Sequence, residues 1–244
     1  MTINRFNLNA AHASWQNAIH SGLEKIDKNY LTNLTHSSDW LPGPNTIFNA
    51  FSIPLNKVNY VLFGESPYPR KQSANGYAFW DAAVQELWSD TGLSKPVNRA
   101  TSLRHIIKML LVAEGLLTKN DTSQEAIAKI DKQNLVQTNH DFFNNLIQNG
   151  FLLLNATPVL QAHSPHHDAK AWSPFTKEIL DELLKARPHV NFILLGQIAK
   201  TIDTLITQPH NEKLYAEHPY NISFVTNQEV IDFFKPLHLL MRKF

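Results

Sequence analysis

The chain has 244 residues, enough for one large domain or two small ones, and an apolar fraction of 43% that can furnish a sizeable core. It has no cysteine, which rules out disulfides, thiolate zinc sites and cysteine-held iron–sulfur clusters. A net charge of +1 announces no bulk affinity for nucleic acid, so any basic face has to be local.

Residues 1–36 read as amphipathic helix, with Trp15, Ile19, Leu23 and Ile26 recurring at spacings of three and four. Nothing in Met1–His20 resembles a signal peptide, and no run approaches the ~18–20 apolar residues of a membrane span. A cytoplasmic protein is expected, at the nucleoid if the source is bacterial. Ser38–Asn45, with Pro42, Gly43 and Pro44, reads as a loop. Ile47–Phe51 is short and apolar, and Pro54–Asn56 reads as a turn.

Val58–Phe63 is a compact run of β-branched and aromatic residues, the pattern of a buried strand. It stops at Gly64 and enters Glu65-Ser66-Pro67-Tyr68-Pro69. Two prolines fix φ at two positions and disfavour helix before each, so this turn should be stiff. A rigid loop at the C-terminal end of a buried strand is where open α/β sheets place ligands, although an ordinary exit from a strand has the same look.

Asp81–Trp88 is compatible with helix or loop, and Thr91–Ala100 reads as irregular. Thr101 or Ser102 can cap a helix from Leu103 to about Gly115, with Ile106, Ile107 and Leu110 facing the core. Lys119–Gln133 reads as a polar surface excursion. His140–Gln148 reads as helix ended by Asn149-Gly150, and Phe151–Leu154 as a second buried strand closing on Asn155. Trp172–Ala186 reads as an amphipathic helix with Ser173-Pro174 at its start. Val190–Leu195 is a third strand ending on Gly196-Gln197, followed by a short helix over Ile198–Ile206. Lys213–Glu217 is a weaker fourth strand ending on His218-Pro219, and a last helix over Gln228–Leu240 is interrupted at Pro236.

Short apolar strands alternating with amphipathic helices predict an α/β protein: one α/β/α sandwich domain over residues 1–244, with a central four-stranded, mostly parallel sheet and residues 1–36 packed on it. The consequence is geometric. Ser66, Asn155, Gly196-Gln197 and His218 all follow strand ends and should meet at one edge of the sheet.

Those residues have suitable chemistry. Asn155 presents an acceptor oxygen beside two amide donors, a match for the edge of a planar base. Phe79 and Tyr68 offer flat faces for stacking. His218 can donate a hydrogen bond to an anion forming on a leaving group. Ile222 has the character of an apolar wedge that enters unstacked DNA. Each residue alone also has a structural role open to it: Asn155 as a cap, His218 as a packed histidine, Phe79 as core.

The same stretches resemble the uracil-DNA glycosylase superfamily, and most its uracil-excising branch. The family's Gly-Gln-Asp-Pro-Tyr-His loop is paralleled by Gly64-Glu65-Ser66-Pro67-Tyr68-Pro69, and its Gly-Gln-Ala-His-Gly-Leu-Ala-Phe-Ser stretch by Gln72–Trp80. Leu-Leu-Leu-Asn appears as Leu152–Asn155, and Leu-Leu-Trp-Gly-Ser as Ile193–Gln197. Gly-Trp-Glu-x-Phe-Thr is similar to Ala171–Thr176, Val-Phe-Asn-Ala-Phe to Ile47–Phe51, and His-Pro-Ser-Pro-Leu-Ser to His218–Ser223. The match runs from about Tyr30 to Leu240.

The resemblance implies an enzyme that flips a base and cleaves its N-glycosidic bond, with DNA carrying a flipped-out base as partner and no cofactor, metal or membrane. It implies a monomer. It places the base on Phe79, with Asn155 reading its polar edge and Tyr68 crowding the position of a thymine methyl. It gives His218 the charge on the departing base and Ile222 the gap left in the duplex. Ser102, Gly196, Gln197 and Ser223 would pinch the phosphate backbone.

There are departures. The family's sugar-facing aspartate is Ser66 here, the preceding glutamine is Glu65, a nearby histidine is Pro69, and Tyr220-Asn221 replace a Ser-Pro. A fixed negative charge stabilises a cationic sugar strongly, and serine supplies none. Glu65 can substitute only if it turns toward the sugar. Two functions therefore stand open: a glycosylase acting on uracil or another damaged base, with weakened activity, and a catalytically inactive DNA- or protein-binding relative of the same fold. His163-Ser164-Pro165-His166-His167-Asp168 has zinc-type ligands but no standard spacing, and no metal is expected there. Ser66 lacks the Gly-x-Ser-x-Gly elbow of a nucleophilic serine.

Overall fold

The computed structural model describes residues 6–37, 39–161, 165–206 and 211–242. Its centre is a sheet of β1 (Tyr60–Gly64), β2 (Phe151–Asn155), β3 (Asn191–Leu195) and β4 (Lys213–Ala216). The strand order is β2-β1-β3-β4, and every neighbouring pair is parallel. The expected α/β sandwich is what the chain forms.

Because strand side chains alternate, the apolar runs feed two cores. Val61, Phe63, Leu152, Leu154, Phe192 and Leu194 point to one side, and Leu62, Phe151, Leu153, Ile193 and Leu195 to the other. The first core is covered by α1 (Gln16–Glu24), α2 (Lys28–His36) and α5 (Pro165–Ala186). The second is covered by α3 (Thr101–Ala113), α4 (Asn139–Gln148) and α7 (Gln228–Phe234). A short α6 (Ile198–Asp203) follows β3. Trp15, Trp172, Phe142 and Phe143 are among the largest fully buried side chains. Each such side chain contributes roughly 1.5–3 kcal/mol over its exposed state.

Several boundaries differ from the sequence reading. The N-terminal segment is two helices rather than one, because Asp27 accepts from the Tyr30 N–H and caps a new start at Lys28. Residues 1–5 of that segment lie outside the described residues. Neither Thr101 nor Ser102 caps α3; both sit in its first turn, after Ala100. The stretch expected to be irregular holds a helix, Lys95–Arg99, capped by the Ser94 hydroxyl with Pro96 in its first turn. Lys119–Gln133 contains a helix, Gln124–Ala128, that buries Ile127.

Pro174 does not start a helix but lies inside α5. Asp168, fully buried, explains the longer helix. Its carboxylate accepts from the Tyr30 hydroxyl (2.8 Å), the Gln161 N–H (2.9 Å) and Gln161 Nε2 (2.6 Å), which ties down the turns before the proline. That carboxylate is held by three protein donors; His163 and Ser164 of the same segment lie outside the described residues. The last helix stops at Phe234 and gives way to a 3-10 turn, Lys235–Leu237, closed by His238 at φ 47°. Among the described residues no helix is long and apolar enough to cross a membrane.

Candidate active site

The loop after β1 continues the sheet before it turns away. Gly64 pairs with Asn155, then Ala156 N–H donates to the Gly64 carbonyl (2.9 Å) and Thr157 N–H to the Glu65 carbonyl (3.0 Å). The stretch that follows is clamped from upstream. Asn49 Nδ2 donates to the Asn75 carbonyl (2.8 Å), and the Ser52 and Tyr77 hydroxyls lie 3.0 Å apart. Gly76 sits at φ +88°, and a Cβ there would lie 1.9 Å from the Thr46 carbonyl oxygen. Arg70 pairs with the buried Asp81 (2.9 Å) and closes the loop on itself.

A cavity of about 220 Å³ opens at this sheet edge. Ser66, Tyr68, Phe79, Ser102, Asn155 and His218 line it together with Glu65 and Tyr77. The strand-end residues thus converge as their order along the chain implies. An adjoining depression of about 470 Å³ shares Glu65 and His218 and is walled by Gln197, Thr201 and Tyr220. Gln197 therefore lies beside the cavity rather than in it.

Asn155 is 4% exposed and lines the cavity at the end of β2. At the cavity wall its side-chain amide, an acceptor oxygen beside two N–H donors, can be completed by a planar ligand. Gly64 sets its position: a Cβ there would stand 2.6 Å from Asn155 Oδ1 and 3.0 Å from Ala78 Cβ, so only glycine lets the amide pack against the strand.

Phe79 has a left-handed backbone, φ 63°, unusual for a bulky residue. The Tyr68 hydroxyl donates to its carbonyl at 3.1 Å. Burial, and then the nearby Asp81 carboxylate, push the Tyr68 phenol well above its ordinary range, so it remains a proton donor. The Phe79 and His218 rings lie 5.8 Å apart at 38°.

His218 Nδ1 accepts the Tyr220 N–H at 3.1 Å. In the neutral ring the proton is then on Nε2, a donor. Burial pulls the His218 pKa down, and the Glu65 carboxylate opposes this without reversing it. Gly196 (φ +68°) makes room for this histidine, since a Cβ there would come within 2.8 Å of His218 Cβ.

Ile222, 65% exposed, begins a 3-10 turn, Ile222–Thr226, and the nearby Tyr220 is also exposed. The Glu217 carboxylate accepts from Asn227 Nδ2 at 2.8 Å. Burial pushes that carboxylate up, but hydrogen-bond donors around it, Asn227 among them, outweigh this and hold it below its ordinary range. Ser66 is half-buried and Glu65 is exposed at the rim.

Sequence reasoning missed His105, a buried residue of α3 whose Nδ1 bonds the Pro219 carbonyl at 2.7 Å. The available signal was a histidine set among the apolar positions Leu103, Ile107 and Leu110.

No family model matches the chain. It is 31% identical over 180 residues to the uracil-DNA glycosylase of Azobacteroides pseudotrichonymphae, covering 73% of this chain and 68% of that one. It is 30% identical over 220 residues to the uracil-DNA glycosylase of Porphyromonas gingivalis, covering 86% and 84%. The crystal structure of wild-type UNG from Nitratifractor salsuginis superposes with a TM-score of 0.91 at 36% identity, covering 97% of this chain and 95% of that one. The mimivirus uracil-DNA glycosylase shares the fold at a TM-score of 0.61 and 16% identity.

Proposed function

The chain belongs to the uracil-DNA glycosylase family, and from that premise we propose that it excises a base from DNA by hydrolysing the N-glycosidic bond. The observation that carries this reading is the cavity whose wall Asn155 shares with the Phe79 ring and the His218 imidazole.

The proposed substrate is a nucleotide extruded from the stack, uracil or another damaged base. The base lies on Phe79 and completes the Asn155 amide, and Tyr68 walls off the side where a thymine carries its methyl. Extrusion costs a few kcal/mol, which contacts in the cavity and the Ile222 wedge offset. As the bond from C1′ to the base breaks, its electron pair goes to the base. The Nε2–H of His218 hydrogen-bonds the oxygen on which that charge gathers. Water adds to the cationic C1′ and loses its proton to solvent. Ser66 orients that water but gives it no charge, so the rate is expected to be modest. Ser102, Gly196, Gln197 and Ser223 hold the backbone on either side. In this reading the whole chain is one catalytic domain that works as a monomer on DNA in the cytoplasm.

The test is release of the base from labelled single- and double-stranded oligonucleotides carrying uracil or one of a panel of lesions, read as strand breaks after alkali. Breaks at the lesion support the proposal. Binding without breaks for every lesion, at stoichiometric protein, replaces it with a non-catalytic DNA-binding role, to which the loss of a carboxylate at position 66 points.

A further inference from the structure

The Pro219–Tyr220 peptide is held at both ends by histidine. Its N–H donates to His218 Nδ1 at 3.1 Å. Its carbonyl lies 2.7 Å from His105 Nδ1, in the adjacent helix α3. A carbonyl only accepts, so His105 carries its proton on Nδ1. Its Nε2 is then free to accept, and Arg104 Nη2 lies 3.4 Å away. His105 is 5% exposed. Burial first, and then the Arg104 and Lys108 charges, favour its neutral form against the pull of the Pro219 and Asn221 backbone.

The orientation of this one peptide decides which nitrogen of His218 is protonated. As it stands, the Tyr220 N–H occupies Nδ1 and the His218 proton goes to Nε2. Rotated by half a turn, the peptide would present the Pro219 carbonyl to Nδ1. His218 would then place its proton on Nδ1, and Nε2 would face the cavity as an acceptor. The His105 bond opposes that rotation, because a turned peptide leaves a buried Nδ1–H without an acceptor. A carbonyl that accepts a hydrogen bond also polarises its own peptide and makes the N–H at the other end a stronger donor.

We propose that His105 is a positioning residue for His218, fixing the Pro219–Tyr220 peptide and so keeping the His218 proton on Nε2, toward the cavity. The catalytic consequence rests on the role given to His218 above; the tautomer does not.

Two substitutions separate the atoms. His105→Asn keeps an amide donor near the place of Nδ1. His105→Gln puts its amide near the place of Nε2 and leaves the Pro219 carbonyl unmet. The full chain, labelled with 15N-histidine, is studied without DNA by long-range 1H–15N correlation, which reads the tautomer of each ring. The expected result is a pure Nε2–H pattern for His218 in the parent and in His105→Asn, and a mixed or Nδ1–H pattern in His105→Gln. Single-turnover base release should fall about tenfold to a hundredfold in His105→Gln, part of what a well-placed proton donor contributes, and recover in His105→Asn. If His105→Gln does not fold, His105→Phe fills the same volume without a donor and takes its place. A His218 ring that stays purely Nε2–H in the donor-less variant overturns the proposal, even if base release falls. A changed tautomer with unchanged base release upholds the positioning and overturns the role of His218.

Discussion

Replacing Ser66 with aspartate places a fixed charge at a position that carries a hydroxyl, beside the exposed Glu65 carboxylate of the same cavity. Ser66 lines the cavity and is half-buried, so an intermediate screening applies rather than that of dry interior or bulk water. A carboxylate ~4 Å from a full positive charge at C1′, with an effective dielectric of ~20, stabilises it by about 4 kcal/mol, or ~10³ in rate. The opening to solvent lowers that toward ~10², the lower range for one fixed electrostatic group in an active site. The assay is single-turnover release from a uracil oligonucleotide by the parent, Ser66→Asp and Ser66→Asn proteins. Asparagine matches aspartate in shape and lacks its charge, so it is expected to leave the rate near the parent. Equal rates for the Asp and Asn variants, with DNA affinity retained in both, would refute the reasoning: position 66 would not face the sugar.

Gly64→Ala is expected to fold, at roughly 1–3 kcal/mol of overpacking, since Gly64 has no left-handed φ to preserve. The new methyl displaces the Asn155 amide, so inhibition by free base should weaken more than DNA affinity does, as competition binding would read. Ile222→Ala should leave the melting temperature nearly unchanged, because the side chain is 65% exposed, and should slow release from duplex about tenfold more than release from single strand. The lowered pKa of His218 means that base release should hold steady as pH falls through the ordinary histidine value of ~6.5 and drop only below it, when Nδ1 takes the proton and loses the Tyr220 N–H. His105 and His218 are both depressed, so below ~6.5 the unfolded chain binds protons that the folded chain does not; denaturant midpoints should fall as pH is lowered from 7 to 5.

The sheet and the meeting of its strand ends at one cavity were legible because both depend on local signals. Apolar runs such as Leu152–Leu154 mark strands by themselves, and the polar residue that ends each run, Asn155 for instance, lands on the rim by topology alone. What was not legible depends on partners far along the chain. Pro174 looks like a helix start unless Asp168 is known to be held by Tyr30 and Gln161. Ser94 reads as loop until its hydroxyl is seen to cap Val97 and donate to the Glu86 carbonyl. His105 looks like an interruption of an apolar helix face, because its carbonyl partner is 114 residues downstream. Residue type announced that Asn155 and His218 have chemistry to offer; only the backbone at Gly64 and Gly196 shows why they stand where they do.

In the proposed reading, the bond from Tyr68 to Phe79 ties selectivity to grip. An L residue in the left-handed region costs roughly 1–2 kcal/mol, and at Phe79 the phenol is one of the groups that hold it there. If Tyr68 walls off bulkier pyrimidines as proposed, trimming it also unpins the Phe79 ring. Variants broadened at this position should accept more bases and retain each of them more weakly.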